Sequence, residues 1–220
     1  MSGIQQMLTG GTYKPAGPTV IGQAFGGGFY AGQISTTANG VADYYLIVAP
    51  KATGQNTSKT WGPTGVSTGV TSVIAGPTNS ASLAALGAAY QAATFCEGLT
   101  IGDYSDWYLP AKNELEVLYY FLKPSSLSNN TDGGNNVNAV SPEPISTFYT
   151  SGSPARTSAT NFQMIGGGSE AFAEELYWTS SERTANYAWS QLFSTGLQDD
   201  SRFKNYSAYA YVRAVRRIPV

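Results

Sequence analysis

The residues of this chain that could carry chemistry are mainly carboxylates and arginines, because the sequence has no histidine and a single cysteine, Cys96. Without histidine, the Ser-His-Asp and Cys-His nucleophile systems are excluded. Zinc sites built from histidine or from several cysteines are excluded as well. Carboxylate-only chemistry and calcium binding remain open. Cys96 fits either a reactive thiol or a small buried core residue, and we expect the second.

Five charged residues recur in the motifs described below, namely Asp106, Glu114, Glu182, Arg213 and Arg216. The three carboxylates fit two interpretations: catalytic groups with arginine as an electrostatic partner, or members of a structural network. Charged residues make up only 12% of the chain, and we expect so few charges to be used in bidentate arginine–carboxylate pairs. We therefore predict that the two arginines hold these carboxylates in partly buried pairs.

The C-terminal region supplies the candidate binding surface. The runs 176–181, 187–193 and 208–218 have the composition of strands, and the turn-type residues between them predict an antiparallel unit. A polar and aromatic loop, residues 196–207, separates the last two runs. Tyrosine and phenylalanine among Asn, Ser and Asp are typical of adaptable binding surfaces. The predicted ligand face is Asp199, Asp200, Ser201, Phe203, Asn205, Tyr206 and Tyr209, with Asn186, Tyr187 and Gln191 as flanking contributors.

Two alternatives remain within this set. Asp199 and Asp200 also fit a cation site, although adjacent carboxylates on a loop are usually solvated. The aromatic residues fit either the core or the exposed face, and those after Gly196 are the best candidates for the face.

Residues 1–18 have the composition of an N-terminal arm. Ile4, Met7 and Leu8 are apolar, and glycine and proline then interrupt any regular element. The segment fits either an arm that packs on another subunit or a frayed terminus. It lacks the basic leader and long apolar run of a secretory signal, so we expect a protein made in the cytoplasm without a signal peptide.

Residues 19–79 predict a β-hairpin region followed by a long ordered loop. Aromatic and β-branched residues at 20–34 and 44–50 predict strands. The glycines at 26–28 predict a bulge or a close approach of two backbones, because no Gly-Lys-Ser/Thr sequence follows to complete a phosphate loop.

Two helices are predicted in the rest of the chain, residues 80–220, which we expect to be the main domain. The first, 80–97, has apolar residues at three- and four-residue spacing and ends at Gly98. The second, 111–122, carries a stripe of leucines. The loop 125–169 that follows is long enough to be functional or interface-forming.

The bulk composition favours a globular protein with a polar, weakly charged surface. Hydrophobic residues make up 42% of the 220 residues, which is enough for a core. A net charge of -2 gives no electrostatic reason to expect nucleic acid. No apolar run approaches the length of a membrane span. We expect residues 19–220 to form one compact α+β unit.

Four motifs carry a family resemblance: Gly102-x-x-x-Asp106-Trp107-Tyr108-Leu109-Pro110-x-x-x-Glu114-Leu115, Tyr177-Trp178-Thr179-Ser180-Ser181-Glu182, Ala188-Trp189 and Val212-Arg213-Ala214-Val215-Arg216. Together they resemble a bacterial and phage family of C-type-lectin-like domains, relatives of the formylglycine-generating-enzyme fold, over residues 85–218. Residues 3–8 and 26–32 are similar to tailed-phage virion proteins that carry such a domain.

The resemblance implies a C-type-lectin-like fold, with two helices on a small twisted antiparallel sheet and long loops on one side. It also implies a set of structural motif residues: Asp106, Trp107, Leu109, Pro110, Glu114, Trp178, Glu182, Arg213 and Arg216. The apolar motif positions, together with Val212 and Val215, are expected to be core residues.

The sequence departs from the family pattern where the family does chemistry. Ala111 stands where a helix-capping Ser or Thr is common, so only Glu114 of the capping box remains. The calcium motifs of the lectins are incomplete, since Glu143-Pro144-Ile145 lacks the third ligand and Trp-Asn-Asp is absent. The cysteine pair of the sulfatase-activating enzymes is reduced to one residue. We therefore expect no bound metal, no cofactor and no enzymatic activity.

The resemblance favours a phage virion protein of the tail fibre, tail tip or head fibre type, located on the particle surface. We expect it to bind a host surface glycan or protein, to contact other virion proteins and to form a homo-oligomer, with a trimer favoured. No nucleic acid and no membrane insertion are expected. By analogy with the variable proteins of diversity-generating retroelements, the binding face would be a diversified one. The rival hypotheses are a structural decoration or fibre-connecting protein and an enzyme of the related fold.

Overall fold

A computed structural model describes residues 17–208 and 210–220, and within them the protein is a mixed α+β structure with more strand than helix. Four α-helices and two sheets make up this part of the chain. In chain order the elements are β1 (Ala24–Phe25), β2 (Gly28–Ile34), β3 (Tyr44–Val48), α1 (Lys51–Gly54), β4 (Gln55–Asn56), α2 (Gly76–Ala85), α3 (Gln91–Glu97), α4 (Lys112–Leu122), β5 (Leu176–Glu182), β6 (Tyr187–Leu192), β7 (Gln198–Phe203), β8 (Ala210–Arg213) and β9 (Val215–Pro219).

The first sheet has the strand order β1-β2-β3-β9, and all of its pairs are antiparallel. The predicted close backbone approach at the glycines is confirmed, since a Cβ on Gly28 would lie 2.2 Å from the carbonyl oxygen of Val48. Gly26 and Gly27 have positive φ angles of 57° and 83°, which glycine adopts without a steric penalty. Gly32, at a register shift in β2, leaves room for the side chains of α4.

The second sheet has the order β4-β8-β5-β6-β7. The predicted antiparallel unit is correct for β5 with β6, but β5 and β8 pair in parallel. The predicted strand 208–218 is also two strands, which separate at Ala214 into different sheets. The backbone of Ala214 bonds instead to Ala49 and Gly54, both at 2.9 Å, so local pairing ends there.

The predicted helix 80–97 is wrong as a single helix. Gly87, at a φ of 103°, lies between α2 and α3, and no L-residue with a side chain adopts that angle readily. The first of the two helices also begins earlier than predicted, with Pro77 in its first turn. The second predicted helix is confirmed as α4. Its N-terminus has no capping side chain at Ala111, but the Glu114 carboxylate accepts a hydrogen bond from the Ala111 N–H at 2.7 Å.

The core consists of two apolar clusters on opposite faces of the second sheet. One contains Trp61, Trp107 and Trp178, and the motif residues Leu109 and Val212 are equally buried in it. The other includes side chains of both sheets and of α4 and contains several aromatic rings in mutual contact: Tyr119, Phe162, Phe172, Tyr177 and Phe193. Cys96 is buried in the first cluster, as expected, and burial raises its thiol pKa well above the usual value.

The long loop after α4 is held down by polar groups. The ammonium of Lys123 is buried and donates hydrogen bonds to the Leu127 carbonyl and the Asn129 side chain, both at 2.6 Å, and to the Pro154 carbonyl at 3.2 Å. Burial lowers the pKa of this lysine. Among the described residues, no helix has the length and apolar character that crossing a membrane requires.

Candidate binding surface

The segment predicted as a binding loop, 196–207, is largely the edge strand β7. It pairs with β6 along its inner side, with Tyr187 opposite Phe203. Within the described residues no further strand pairs with its outer side. The sequence predicted a loop here because the residues are polar, and a strand at a solvated edge does not need alternating apolar residues. The candidate residues are therefore displayed on a paired backbone and its flanking turns.

An aromatic surface lies on one side of this edge, and we define it as Tyr187, Trp189 and Phe203 with the cations Lys112 and Arg183. The rings of Tyr187 and Phe203 are 4.8 Å apart between centroids, and Phe203 is 49% exposed. Trp189 is half-buried and shares their side, because alternate residues of a strand face the same way. Its ring lies 4.8 Å from the Lys112 ammonium and 5.9 Å from the Arg183 guanidinium carbon.

The opposite side of the edge forms a small cleft with apolar walls and one ion pair. A cavity of about 150 Å³ is lined there by Leu192, Leu197, Asp199, Arg202 and Tyr206, among others. The guanidinium of Arg202 donates to the Asp199 carboxylate through Nε at 3.1 Å and Nη2 at 2.8 Å. Its central carbon lies 4.8 Å from the ring centroid of Tyr206. Burial alone would raise the pKa of Asp199, but hydrogen bonds from Ser201 and the arginine charge outweigh it and lower the pKa.

The structure thus divides the predicted ligand face between two sides and removes part of it from the surface. Asp200 belongs with the aromatic surface, where it lies 3.4 Å from Arg183. Asn205 is exposed in the turn after β7, and Asn186 is exposed in the β5–β6 turn. Gln191 is only 1% exposed and its amide donates to the Gly196 carbonyl, so it does not reach the surface. The predicted residue Tyr209 lies outside the described residues.

Sequence reasoning missed the two cations of the aromatic surface. Arg183 follows the Trp-Thr-Ser-Ser-Glu motif directly, and its position next to a strand end was an available signal. Lys112 is the first residue of α4 and is more than seventy positions from Trp189 in the sequence, so no local pattern connects them.

The predicted arginine–carboxylate network exists, but only one predicted partnership is correct. Arg216 binds both oxygens of Asp106, at 2.7 and 2.8 Å, and also donates to the Gly26 carbonyl. The guanidinium lies 3.9 Å from the ring of Tyr104. This pair connects β9 to the loop before α4 and to the glycine turn of the first sheet.

The other three predicted members have different partners. Arg213 binds Glu170 at 2.7 Å instead of the predicted carboxylates, because the chain turns to the other sheet after it. Glu114 binds Arg217 at 2.8 Å, and Glu182 binds Lys204 at 2.8 Å.

Each of these charged groups is paired with an opposite charge inside the protein. Burial lowers the pKa of Arg213 to about 10, which leaves it charged at neutral pH. Burial raises the pKa of Glu114, and the charge of Arg217 and the hydroxyl of Tyr108 oppose that effect. The motif carboxylates therefore act as cross-links between segments.

Residues 52–216 match the family model of the Lcl C-terminal domain, which is well over half of the chain. The chain belongs to the Lcl C-terminal domain family. No curated protein matches the sequence. Membership is consistent with the resemblance to lectin-like domains of phages and bacteria and supports, at a coarse level, a binding protein of the surface or receptor-binding type.

In this Lcl C-terminal domain the β7 edge presents aromatic rings, amides and compensated charges. Among the described residues, no group of three or more His, Cys, Asp or Glu side chains could hold a metal ion. Asp199 and Asp200 each have an arginine partner, on opposite sides of the strand. The edge thus offers stacking and hydrogen bonding to a ligand.

Proposed function

We propose that this chain is a phage virion protein whose C-type-lectin-like domain binds a host surface glycan or protein through the β7 edge, without a catalytic role. The observation that carries the proposal is the half-exposed ring of Phe203, which lies against the ring of Tyr187 at the outermost strand of the sheet. A large exposed aromatic side chain at an otherwise polar edge favours a recognition surface.

The physical basis is that the surface combines contact area with a rigid support. Tyrosine and phenylalanine lose little side-chain entropy on binding, because they have only two rotatable side-chain bonds. Their rings stack on the apolar faces of sugars or on protein side chains. The strand pairing of β6 and β7 fixes the spacing of the rings before a ligand arrives, which reduces the ordering cost of binding.

The particle context is part of the same proposal. We place the protein at the virion surface, in a tail fibre, tail tip or head fibre, as a homo-oligomer with a trimer favoured and in contact with other virion proteins. Residues 1–16 of the proposed attachment arm lie outside the described residues. The test of assembly is the mass in solution of the full chain and of a chain without residues 2–18; an unchanged oligomer would remove the arm from the proposal.

The binding experiment separates the two sides of the edge strand. We expect the double variant Y187A/F203A to weaken the free energy of binding to host cells by more than about 2 kcal/mol, the size of a binding hot spot. Tyr206→Ala, on the opposite side, is the matched control and should retain attachment. Circular dichroism verifies folding, and each protein is assayed with and without a chelator. Unimpaired attachment of the folded double variant would refute this site, and loss with chelator alone would refute metal-free binding.

A structural role in the particle is the second candidate, and a different surface favours it. Val41, in the loop between β2 and β3, is 65% exposed, and Ile145, in the loop 134–153, is 44% exposed. The two loops are close here, since a Cβ on Gly40 would be 3.2 Å from the Cδ1 atom of Ile145. Phe148, also in the loop 134–153, adds a third exposed apolar side chain. In a map of the assembled particle, contact of the loop 134–153 with a neighbouring protein and burial of β7 would favour the structural role.

A further inference from the structure

One glutamate on α4 and one in the loop 134–153 differ from the other buried carboxylates of the described residues. Glu116 on α4 is 0% exposed and Glu143 in the loop is 2% exposed. Glu116 accepts hydrogen bonds from the Asn136 amide at 2.6 Å and from the Tyr149 hydroxyl. Both carboxylate oxygens of Glu143 are buried, and no donor among the described residues bonds to either of them.

No cation of the described residues compensates this pair. Glu114, Glu170 and Glu182 each bind a lysine or arginine within 2.8 Å, whereas neither Glu116 nor Glu143 has such a partner within 4 Å in residues 17–208 and 210–220. Two ionised carboxylates in one buried site cost several kcal/mol in desolvation and repulsion. The site therefore needs one positive charge, and the smallest is a proton.

We propose that Glu116 and Glu143 share one proton in a carboxyl–carboxylate hydrogen bond that fastens the loop 134–153 to α4, and that release of this proton at alkaline pH loosens the loop. Glu143 and Tyr149 line one cavity, and the Tyr149 hydroxyl donates a hydrogen bond to Glu116, so the two carboxyl groups belong to one buried cluster. The shared proton gives one oxygen of Glu143 the partner that it lacks. Asn136 and Tyr149, at the two ends of the loop, already bond to Glu116, so the proton completes the attachment.

The charged and titratable groups around the pair support the proton. Burial, and then the charge of Glu116, raises the pKa of Glu143 well above its usual value of 4.5. Tyr120 and Tyr149 face the site, and burial raises the pKa of each hydroxyl above its usual value of 10, so both stay neutral at neutral pH. Tyr119 packs against the ring of Tyr149, and its own hydroxyl donates to Asn129. Lys112, at the start of α4, attracts Glu116 only at longer range, since its ammonium lies on the Trp189 ring.

The direction of the pH effect follows from the raised pKa. Below pH 4.5 the folded and unfolded chains both carry the proton, and its contribution to stability is complete. Above pH 4.5 the unfolded chain releases the proton while the folded chain keeps it, so stability falls as pH rises. The loss is complete once the pH exceeds the raised pKa of Glu143 in the folded protein.

Opening of this loop would alter a defined part of the surface. Pro144, Phe148 and Tyr149 line a cavity of about 80 Å³ together with Tyr120 of α4. Phe148 is 53% exposed. Release of the proton would widen this cavity and uncover the ring of Tyr149, which is 6% exposed in the closed form.

The decisive variant is Glu143→Gln, because an amide donates a hydrogen bond to Glu116 and does not titrate. We would measure hydrogen exchange of residues 134–153 from pH 5 to pH 9, corrected for the intrinsic base-catalysed rate. In the parent, the opening constant of the loop should rise up to about tenfold per pH unit within the titration window. In E143Q the corrected exchange should be flat, and the melting temperature at pH 9 should exceed that of the parent.

Glu97→Gln is the matched control, since burial also raises the pKa of this glutamate but it lies on α3, outside the pair. E97Q should keep the pH-dependent exchange of the loop. Equal pH dependence in the parent and E143Q would overturn the shared proton. Restoration of the closed loop at pH 9 by sodium, calcium or ammonium ions would also overturn it, because a bound cation would then supply the charge.

A measurement on the parent protein covers the case in which E143Q does not fold. Infrared difference spectra of protein with isotope-labelled glutamate should show the C=O band of a protonated carboxyl group at neutral pH, which disappears as the loop opens. Absence of that band at neutral pH in the folded parent would refute the proposal.

Discussion

The interior charges and the charges of the β7 edge are arranged in opposite ways. Inside, Arg213 and Lys204 bind carboxylates that are far away in the sequence, and all four side chains are nearly excluded from solvent. At the edge, Arg202 binds Asp199 three residues away, with a third of its side chain exposed. Long-range buried pairs fix the relative position of segments, whereas short-range exposed pairs only shape a surface. The edge is therefore free to change without loss of the fold.

The largest expected effect comes from removing Arg213. Its guanidinium also donates to the carbonyls of Ala49 and Glu170, so three segments lose their connection. Arg213→Met should lower the free energy of unfolding by about 3–5 kcal/mol, because the Glu170 carboxylate loses its buried partner. Urea denaturation measures the change, and the double variant R213M/E170Q should recover part of it. A parent-like R213M would show that the pair contributes nothing to the fold.

A slightly smaller loss is expected for Lys204→Met, about 3 kcal/mol. Burial alone would raise the pKa of Glu182, but hydrogen bonds from Lys204 and Thr68 outweigh it and hold the pKa below its usual value of 4.5. The pair thus stabilises the fold above pH 4.5, and this contribution is lost as pH falls through the lowered pKa. Thermal unfolding at pH 7 and pH 3 should show a smaller acid effect in K204M/E182Q than in the parent.

Arg216→Ala should cost less, about 1–2 kcal/mol. The Asp106 side chain is 55% exposed, so water can replace part of what the guanidinium supplied. The remaining loss arises from the Gly26 carbonyl and the Tyr104 ring. Melting curves of R216A and R216K compare loss of the whole side chain with loss of the bidentate geometry alone. A loss as large as that of R213M would mean that exposure does not distinguish the two pairs.

The smallest effect on stability is expected at the edge. Phe203→Ala should lower the free energy of unfolding by no more than about 1 kcal/mol, the value of one cross-strand aromatic pair. The same variant should weaken ligand attachment strongly, so stability and binding would separate at this residue. A variant that unfolds would instead assign Phe203 to the structural part of the molecule.

The binding surface was only partly predictable, for reasons visible in particular residues. Phe203 and Tyr187 were predicted as ligand residues because aromatic residues among Asn, Ser and Asp are typical of binding surfaces. In the structure their rings lie next to each other on the aromatic surface. The set was expected on a loop, yet its backbone is a strand whose two sides separate Asp199 from Asp200. Gln191 was predicted as a flanking ligand residue, but it is buried and its amide donates to the Gly196 carbonyl of the turn before β7.

By itself the sequence determined the local features of this protein. The periodicity of residues 112–122 specifies α4, the glycines at 26–28 specify a close turn, and the tryptophan motifs specify the core. Tertiary structure alone decided the partners of the charges. A one-residue interruption at Ala214 sends Arg213 and Arg216 to different sheets, and their nearest carboxylates are then Glu170 and Asp106. Local preferences act over a few residues, whereas ion pairs depend on which distant segments are brought within 3 Å, and no short sequence pattern contains that information.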